Sequence, residues 1–167
     1  AKCTWDYDGT MRVDLTLLPS SGKTVEKLLL EIPLRPGQAT HYHAMGDGIR
    51  NTLYERVPEG EGVVWTAEKV QANDLPAKFC SYLYVGTPVR GLCWFAENDR
   101  GWSWDSPKPN VELVRSSSTV TIRVHLISKP VVIDKERTIT FGLLAAPVKP
   151  KLGDWRYRWN RDKYTLL

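Results

Sequence analysis

The clearest feature of the chain is a two-residue alternation of hydrophobic and polar positions. The clearest example alternates four apolar residues with Thr, Arg and His: Val120, Ile122, Val124 and Leu126. Similar stretches occur at 11–17, 63–66, 79–85, 111–114 and 138–144. A period of two is that of a β-strand with one buried face. Loops rich in Gly and Pro separate these stretches, and no convincing long helix is present. The pattern predicts an all-β fold, a two-sheet antiparallel β-sandwich.

The segment from Val25 to Leu34 fits two periods. Its apolar residues can be arranged as a helical stripe or as a strand, but Pro33 lies inside the segment. Proline in a helix removes a hydrogen bond and clashes with the preceding turn, so we expect a strand. Because proline also lacks the N–H that a central strand needs, we expect this strand at the edge of a sheet.

Length and composition favour one domain without a nucleic-acid or membrane partner. The 167 residues suffice for a single core, which we assign to 1–148. The net charge of +4 is scattered, and the basic positions near the end alternate with acids. No stretch approaches the twenty apolar residues of a membrane span. From residue 149 the Pro- and Lys-rich sequence is typical of a linker, followed at 155–159 by aromatic residues that we assign to the start of a following domain.

The segment from Gly91 to Asp105 concentrates three Trp, three acids and one Arg in fifteen residues. We expect a strand from Gly91 to Glu97 and a turn at Asn98–Gly101, since Asn, Asp and Gly tolerate the backbone angles of a reversal. Trp102 and Trp104 then resume the alternation, which predicts a hairpin.

Two acids of this segment fit a catalytic hypothesis. On a strand, Glu97 and Asp99 would share a face with Cα atoms roughly 6–7 Å apart, and glycoside hydrolysis uses a carboxylate pair. Such pairs usually face each other from different elements, whereas neighbours at a turn more often cap it or pair with a base such as Arg100. We therefore favour a structural role.

The indoles of the segment fit a carbohydrate hypothesis. Trp102 and Trp104, past the turn, are the better candidates for exposure, while Trp94 is suited to the core. Stacked sugar rings would find polar partners in Asp99, Arg100 and Asp105.

Metal and cofactor chemistry has weaker support. His41 and His43 would share a strand face, a workable spacing for a metal pair. No third ligand is nearby in sequence, and His125 or Asp47 could join them only through the fold. Cys80 and Cys93 lie in apolar stretches that favour buried, unreactive thiols. We expect no cofactor.

Four stretches resemble the amino-terminal β-sandwich domain of glycoside hydrolase family 123 and related bacterial proteins. They are Tyr7-Asp8-Gly9, Leu30-Glu31-Ile32-Pro33-Leu34, Gly91 to Trp102, and Ile139 to Pro150. The resemblance implies a domain that precedes and packs on a catalytic (β/α)₈ barrel, which alone carries the Asp-Glu pair for hydrolysis of N-acetylgalactosaminides. It also implies a secreted or periplasmic location.

The resulting expectation is a noncatalytic accessory domain of a glycoside hydrolase-like protein. Its partner would be a neighbouring catalytic domain of the same polypeptide, with carbohydrate as a second ligand. The tip of the predicted hairpin, Glu97 to Trp104 with Asp105 beside it, would contact this neighbour or the sugar near its active site. The alternatives are an independent carbohydrate-binding module that uses Trp102 and Trp104, and a small glycosidase that uses Glu97 and Asp99.

Overall fold

A computed structural model describes residues 1–19, 21–45, 52–69, 79–105 and 108–148. The predicted linker and following segment at 149–167 lie outside the described residues. The described chain forms these strands: β1 (Lys2–Trp5), β2 (Met11–Leu17), β3 (Thr24–Val25), β4 (Leu28–Leu34), β5 (His41–Met45), β6 (Thr52–Arg56), β7 (Gly62–Thr66), β8 (Tyr82–Gly86), β9 (Gly91–Phe95), β10 (Val111–Arg115), β11 (Val120–Ile127), β12 (Val131–Val132) and β13 (Arg137–Ala146). Two short 3₁₀ turns cover Pro36–Gln38 and Ala67–Lys69.

The strands form two main antiparallel sheets and a small ribbon. The larger sheet has the order β1-β2-β13-β9-β8-β5-β6, the smaller has the order β4-β11-β10-β7, and β12 pairs with β3. Their inward residues share one core that includes Tyr42, Trp65, Trp94, Leu113, Ile122 and Ile139. The predicted all-β sandwich is confirmed.

Proline has the expected effect on β4. This strand lies at the edge of the smaller sheet, paired with β11 alone, and Pro33 is in register with Thr121. The edge position tolerates a residue without an N–H, as predicted.

The smaller sheet does not cover β1. Cys3 and Trp5 share the inner face with their paired residues Val13 and Met11, yet both are exposed, and Trp5 retains 68% of its accessible surface. The inner face of the larger sheet therefore remains uncovered along this edge.

The hairpin predicted for Gly91 to Asp105 is wrong. Strand β9 lies inside the larger sheet, paired with β8 on one side and β13 on the other. Both of its edges are occupied, so the residues after the turn cannot pair back onto it. They cross to the smaller sheet instead, where Ser103 forms a parallel bridge with Ile127.

Candidate functional site

The turn after β9 forms where residue chemistry predicted it. Trp102 N donates to Asp99 O at 3.1 Å, and Arg100 N donates to Asn98 Oδ1 at 3.0 Å. Gly101 has a φ of 82°, and a Cβ at this position would lie 2.4 Å from Thr138 O. Glycine is thus required by both the backbone angle and the close approach to β13.

Trp102 and Trp104 do not form an exposed platform. Trp102 is 8% exposed and packs against Trp94 and Phe79, with ring centroids 6.3 and 5.5 Å away. Trp104 is half-buried against Phe79 at 6.0 Å, and its Nε1 donates to Asp99 Oδ2 at 3.3 Å. The expectation of exposure is wrong for Trp102, because the chain passes over the core as it crosses between sheets.

The charged residues of the turn are arranged differently from the prediction. Glu97, Asp99 and Arg100 are exposed, and no ion pair joins Arg100 to either acid within the described residues. Asp99 instead accepts the indole N–H of Trp104. Asp105 pairs with Lys108 at 3.4 Å. Asp99 therefore contributes to the turn through Trp102 and Trp104, and Arg100 is not the partner that the sequence suggested.

A cavity of about 220 Å³ lies on the outer face of the larger sheet, next to this turn. Residues Arg12, Gly142 and Phe95 are directly in register across β2, β13 and β9, and all three line the cavity. Its lining residues are Thr10, Arg12, Phe95, Ala96, Glu97, Asn98, Thr140, Phe141 and Gly142. Glu97 therefore lines a cavity whereas Asp99 does not, so the predicted carboxylate pair is not assembled there.

The Phe95 ring lies over Gly142. A Cβ at Gly142 would come within 2.1 Å of the ring Cζ and 2.4 Å of Cε2. Only glycine at this position lets the ring reach across the neighbouring strand. Tyr84 has a similar arrangement, with its ring over Gly86 and Gly91 on the same face.

A polar network fixes the opposite side of the cavity. Arg12 Nε lies 3.1 Å from Asp14 Oδ1, and Thr140 Oγ1 donates to the same oxygen at 2.7 Å. The hydrogen bond from Thr140, followed by that from Arg12, lowers the pKa of Asp14 below its ordinary value of 3.8. Asp14 thus remains a carboxylate near neutral pH, and its charge holds and offsets the Arg12 guanidinium.

The histidines of β5 lie on the same outer face, as their spacing predicted. His41 stacks on Tyr54 with centroids 5.7 Å apart, and His43 contacts the edges of Tyr54 and Tyr82. Across the described ranges no group of three His, Cys, Asp or Glu side chains is placed to hold a metal ion. Asp47, a possible third ligand, lies outside the described residues, and His125 belongs to the smaller sheet.

A second cavity of about 300 Å³ lies on the outer face of the smaller sheet. His125 Nε2 is 3.3 Å from Glu112 Oε2, without hydrogen-bond geometry, and Arg123 Nη1 is 3.6 Å from the same oxygen. Arg123 also pairs with Glu31 at 2.7 Å. The acids here face bases on neighbouring strands, which is the arrangement of a surface ion-pair network.

The cysteines behave as expected from their apolar surroundings. Cys80 and Cys93 are buried and free. Burial raises the pKa of the Cys80 thiol to about 12, and burial likewise raises the pKa of Cys93. Neither thiol is a nucleophile near neutral pH.

Comparison with known proteins adds no assignment. The chain matches no family model, no curated protein and no solved structure. No helix among the described residues is long and apolar enough to span a membrane. The strand order of the two packed sheets defines an antiparallel β-sandwich.

Proposed function

We propose that this chain is a noncatalytic accessory β-sandwich domain that packs against a neighbouring catalytic domain of the same polypeptide. One observation carries the proposal. Large apolar side chains are exposed together at one end of the larger sheet, and we call this group the apolar end: Trp5, Tyr7, Val89 and Val148.

Strand register brings the apolar end together. Trp5 pairs with Met11, which is also in register with Leu143, so the β1–β2 hairpin borders the last part of β13. On the other side of β13, Ala146 pairs with Gly91, directly after the turn that carries Val89. Val148 follows two residues later. Three separate segments thus expose apolar side chains where β13 ends.

Clustered exposure of this kind is typical of a contact surface. Single exposed hydrophobic residues are ordinary, but contiguous apolar patches mark interaction sites. Burial of a large apolar side chain contributes about 1.5–3 kcal/mol. Burial of Trp5 and Tyr7 against a tethered neighbour would therefore stabilise a packed arrangement of the two domains.

The position of the apolar end agrees with the resemblance to the sandwich domain of glycoside hydrolase family 123. In that family the barrel follows the sandwich in sequence, and here the described chain leaves the sheet at the apolar end. The proposal accordingly extends to a bacterial, secreted or periplasmic glycoside hydrolase-like protein, in which catalysis belongs to the neighbour.

Hydrogen exchange in the polypeptide extended beyond Leu167 tests this proposal. We expect the β1–β2 and β8–β9 hairpins to exchange more slowly in the extended polypeptide than in the 167-residue chain. Replacing Trp5 and Val89 by Ser should remove this protection and lower the unfolding temperature of the neighbour.

Val63→Ser and Val132→Ser are the matched controls, because both residues are exposed and lie outside the apolar end. They should leave the protection unchanged. A reading frame that ends at Leu167, or equal exchange with and without the extension, would show that the proposal is wrong.

A further inference from the structure

We propose that the cavity between β2 and β9 is a binding site for one neutral pyranose ring. The sequence directed attention to Trp102 and Trp104, but the structure places a different aromatic residue, Phe95, at an open surface site with hydrogen-bonding groups around it. This site is separate from the apolar end, and the inference does not depend on domain packing.

The size of the cavity suits a single sugar ring. A volume of about 220 Å³ is roughly seven times the volume that one water molecule occupies in the liquid. It is smaller than the sites of about 300–1,000 Å³ that hold drug-sized ligands. One sugar ring fits this space, either free or at the end of a glycan.

The two sides of the cavity offer complementary hydrogen-bonding groups. Arg12 supplies guanidinium donors from β2, while Glu97 supplies carboxylate acceptors from the residues that follow β9. The backbones of Arg12 and Phe95 lie two strands apart, so their Cα atoms are separated by roughly 9–10 Å. Hydroxyl groups around a pyranose ring both donate and accept hydrogen bonds, so one ring can bind the donors of Arg12 and the acceptors of Glu97 together.

The charged side chains at the cavity favour binding of a neutral sugar over binding of an acidic sugar. Among the described residues that line the cavity, the only formal charges are those of Arg12 and Glu97, which are opposite. Arg12 is further offset by Asp14, with Nη2 3.0 Å from Oδ1. Because Asp14 offsets Arg12, a uronic acid would be repelled by the carboxylate of Glu97, whereas a neutral ring meets no such penalty.

The ring of Phe95 supplies the apolar contact that sugars need. Carbohydrate C–H faces pack on aromatic rings, and the polar groups around the ring then fix orientation. Because Gly142 supports the Phe95 ring from beneath, the ring is held in place before a ligand arrives. Preorganisation of this kind reduces the entropy cost of binding.

NMR titration of the isotope-labelled 167-residue chain with methyl hexopyranosides tests the inference. Methyl glucuronide serves as the charged comparison ligand. We expect at least one neutral glycoside to shift the amides of Phe95, Glu97 and Gly142, with a dissociation constant on the order of 1 mM. Methyl glucuronide should bind more weakly, because Glu97 repels its carboxylate.

Paired variants separate the cavity from the rest of the surface. Phe95→Leu, which keeps apolar volume but removes the ring, should weaken binding about tenfold, and Glu97→Gln about threefold to tenfold. Tyr54→Ala and Asp105→Asn change an exposed ring and a carboxylate outside the cavity, and they should bind as the parent does. Unfolding midpoints measured alongside confirm that each variant is folded.

Three results would overturn the inference. They are the absence of shifts at the cavity amides with every neutral glycoside, tighter binding of methyl glucuronide, and equal loss of affinity in Phe95→Leu and Tyr54→Ala.

Discussion

Trp102 contributes to the core from a segment without regular secondary structure. Its ring is in contact range of Trp94 on the larger sheet and of Phe79, and Ser103 beside it donates its N–H to Leu126 O at 3.0 Å. One residue thus fills the core while its neighbour fixes the crossing segment to the smaller sheet. Its role is packing, and no sugar face can reach the buried ring.

We expect Trp102→Ala to lower the free energy of unfolding by about 3–5 kcal/mol, because it leaves a large cavity in the core. Chemical denaturation of purified variants measures this change. Trp5→Ala is the matched control, since Trp5 is largely exposed in the 167-residue chain, and it should change the free energy by no more than about 0.5 kcal/mol. Equal costs at both positions would contradict the burial of Trp102.

At the residue scale, local chemistry predicted the turn well and the exposure of side chains poorly. Asn98 and Gly101 act through hydrogen bonds and backbone angles within a few residues, and these are readable from sequence. The burial of Trp102 depends on Trp94 and Phe79, which reach it only through the fold. The position of Phe95 at a cavity was hidden in the same way, since Gly142 beneath it is 47 positions along the chain.

Among the elements, β9 is the strand that explains the candidate site. It lies between β8 and β13, and its outer face carries Phe95 over Gly142. Had β9 been an edge strand, the segment after the turn would have been free to complete a hairpin. Its central position sends that segment to the other sheet and leaves Glu97 at the rim of the cavity.

We expect Gly142→Ala to lower the free energy of unfolding by about 1–3 kcal/mol, because the new Cβ would overlap the Phe95 ring. The double variant Gly142→Ala, Phe95→Ala should cost less than the sum of the two single variants, as expected for residues in direct contact. Equilibrium unfolding of the three variants gives the coupling free energy.

Gly37→Ala is the control for this cycle, since no heavy atom lies within 4 Å of a Cβ placed there. It should be close to neutral. Additive costs at Gly142 and Phe95 would mean that the ring does not rest on the glycine.

Element boundaries followed periodicity closely in several strands, but β8 begins three residues after the start of its alternating stretch and β13 ends two residues beyond the end of its stretch. Strands β2, β4, β7, β10 and β11 lie within a residue or so of the alternating stretches. Strand β6 was missed, because Thr52–Arg56 carries mostly exposed side chains and therefore shows no clear alternation. Such a strand forms because β5 offers it an unpaired edge, which is a tertiary effect.

For the whole molecule, Asn110 is a buried connection between the two sheets. Its Oδ1 accepts from Cys80 N at 2.7 Å, and its Nδ2 donates to Cys80 O at 3.1 Å. Cys80 leads into β8 of the larger sheet, while Asn110 leads into β10 of the smaller sheet. The side chain is fully buried and satisfies both backbone groups of Cys80.

We expect Asn110→Ala to destabilise the protein by about 2–5 kcal/mol, since it leaves two buried backbone groups without partners. Denaturation by urea measures the loss, and hydrogen exchange should show the largest local change at Cys80. Asn98→Ala removes a hydrogen bond at an exposed turn and should cost no more than about 1 kcal/mol. Similar losses in both variants would contradict a joining role for Asn110.

The sequence by itself determined the class of fold, since alternation with a period of two requires two-faced strands, and strands with one apolar face must pack in layers. It also determined the turn at Asn98–Gly101, the edge position of Pro33 and the inert thiols, because each follows from local residue chemistry. The tertiary structure decided which surfaces are open. Sheet order buried Trp102, brought Arg12, Gly142 and Phe95 into one row, and gathered the apolar end from three distant segments. These outcomes depend on strand pairing over long separations, which no short sequence pattern records.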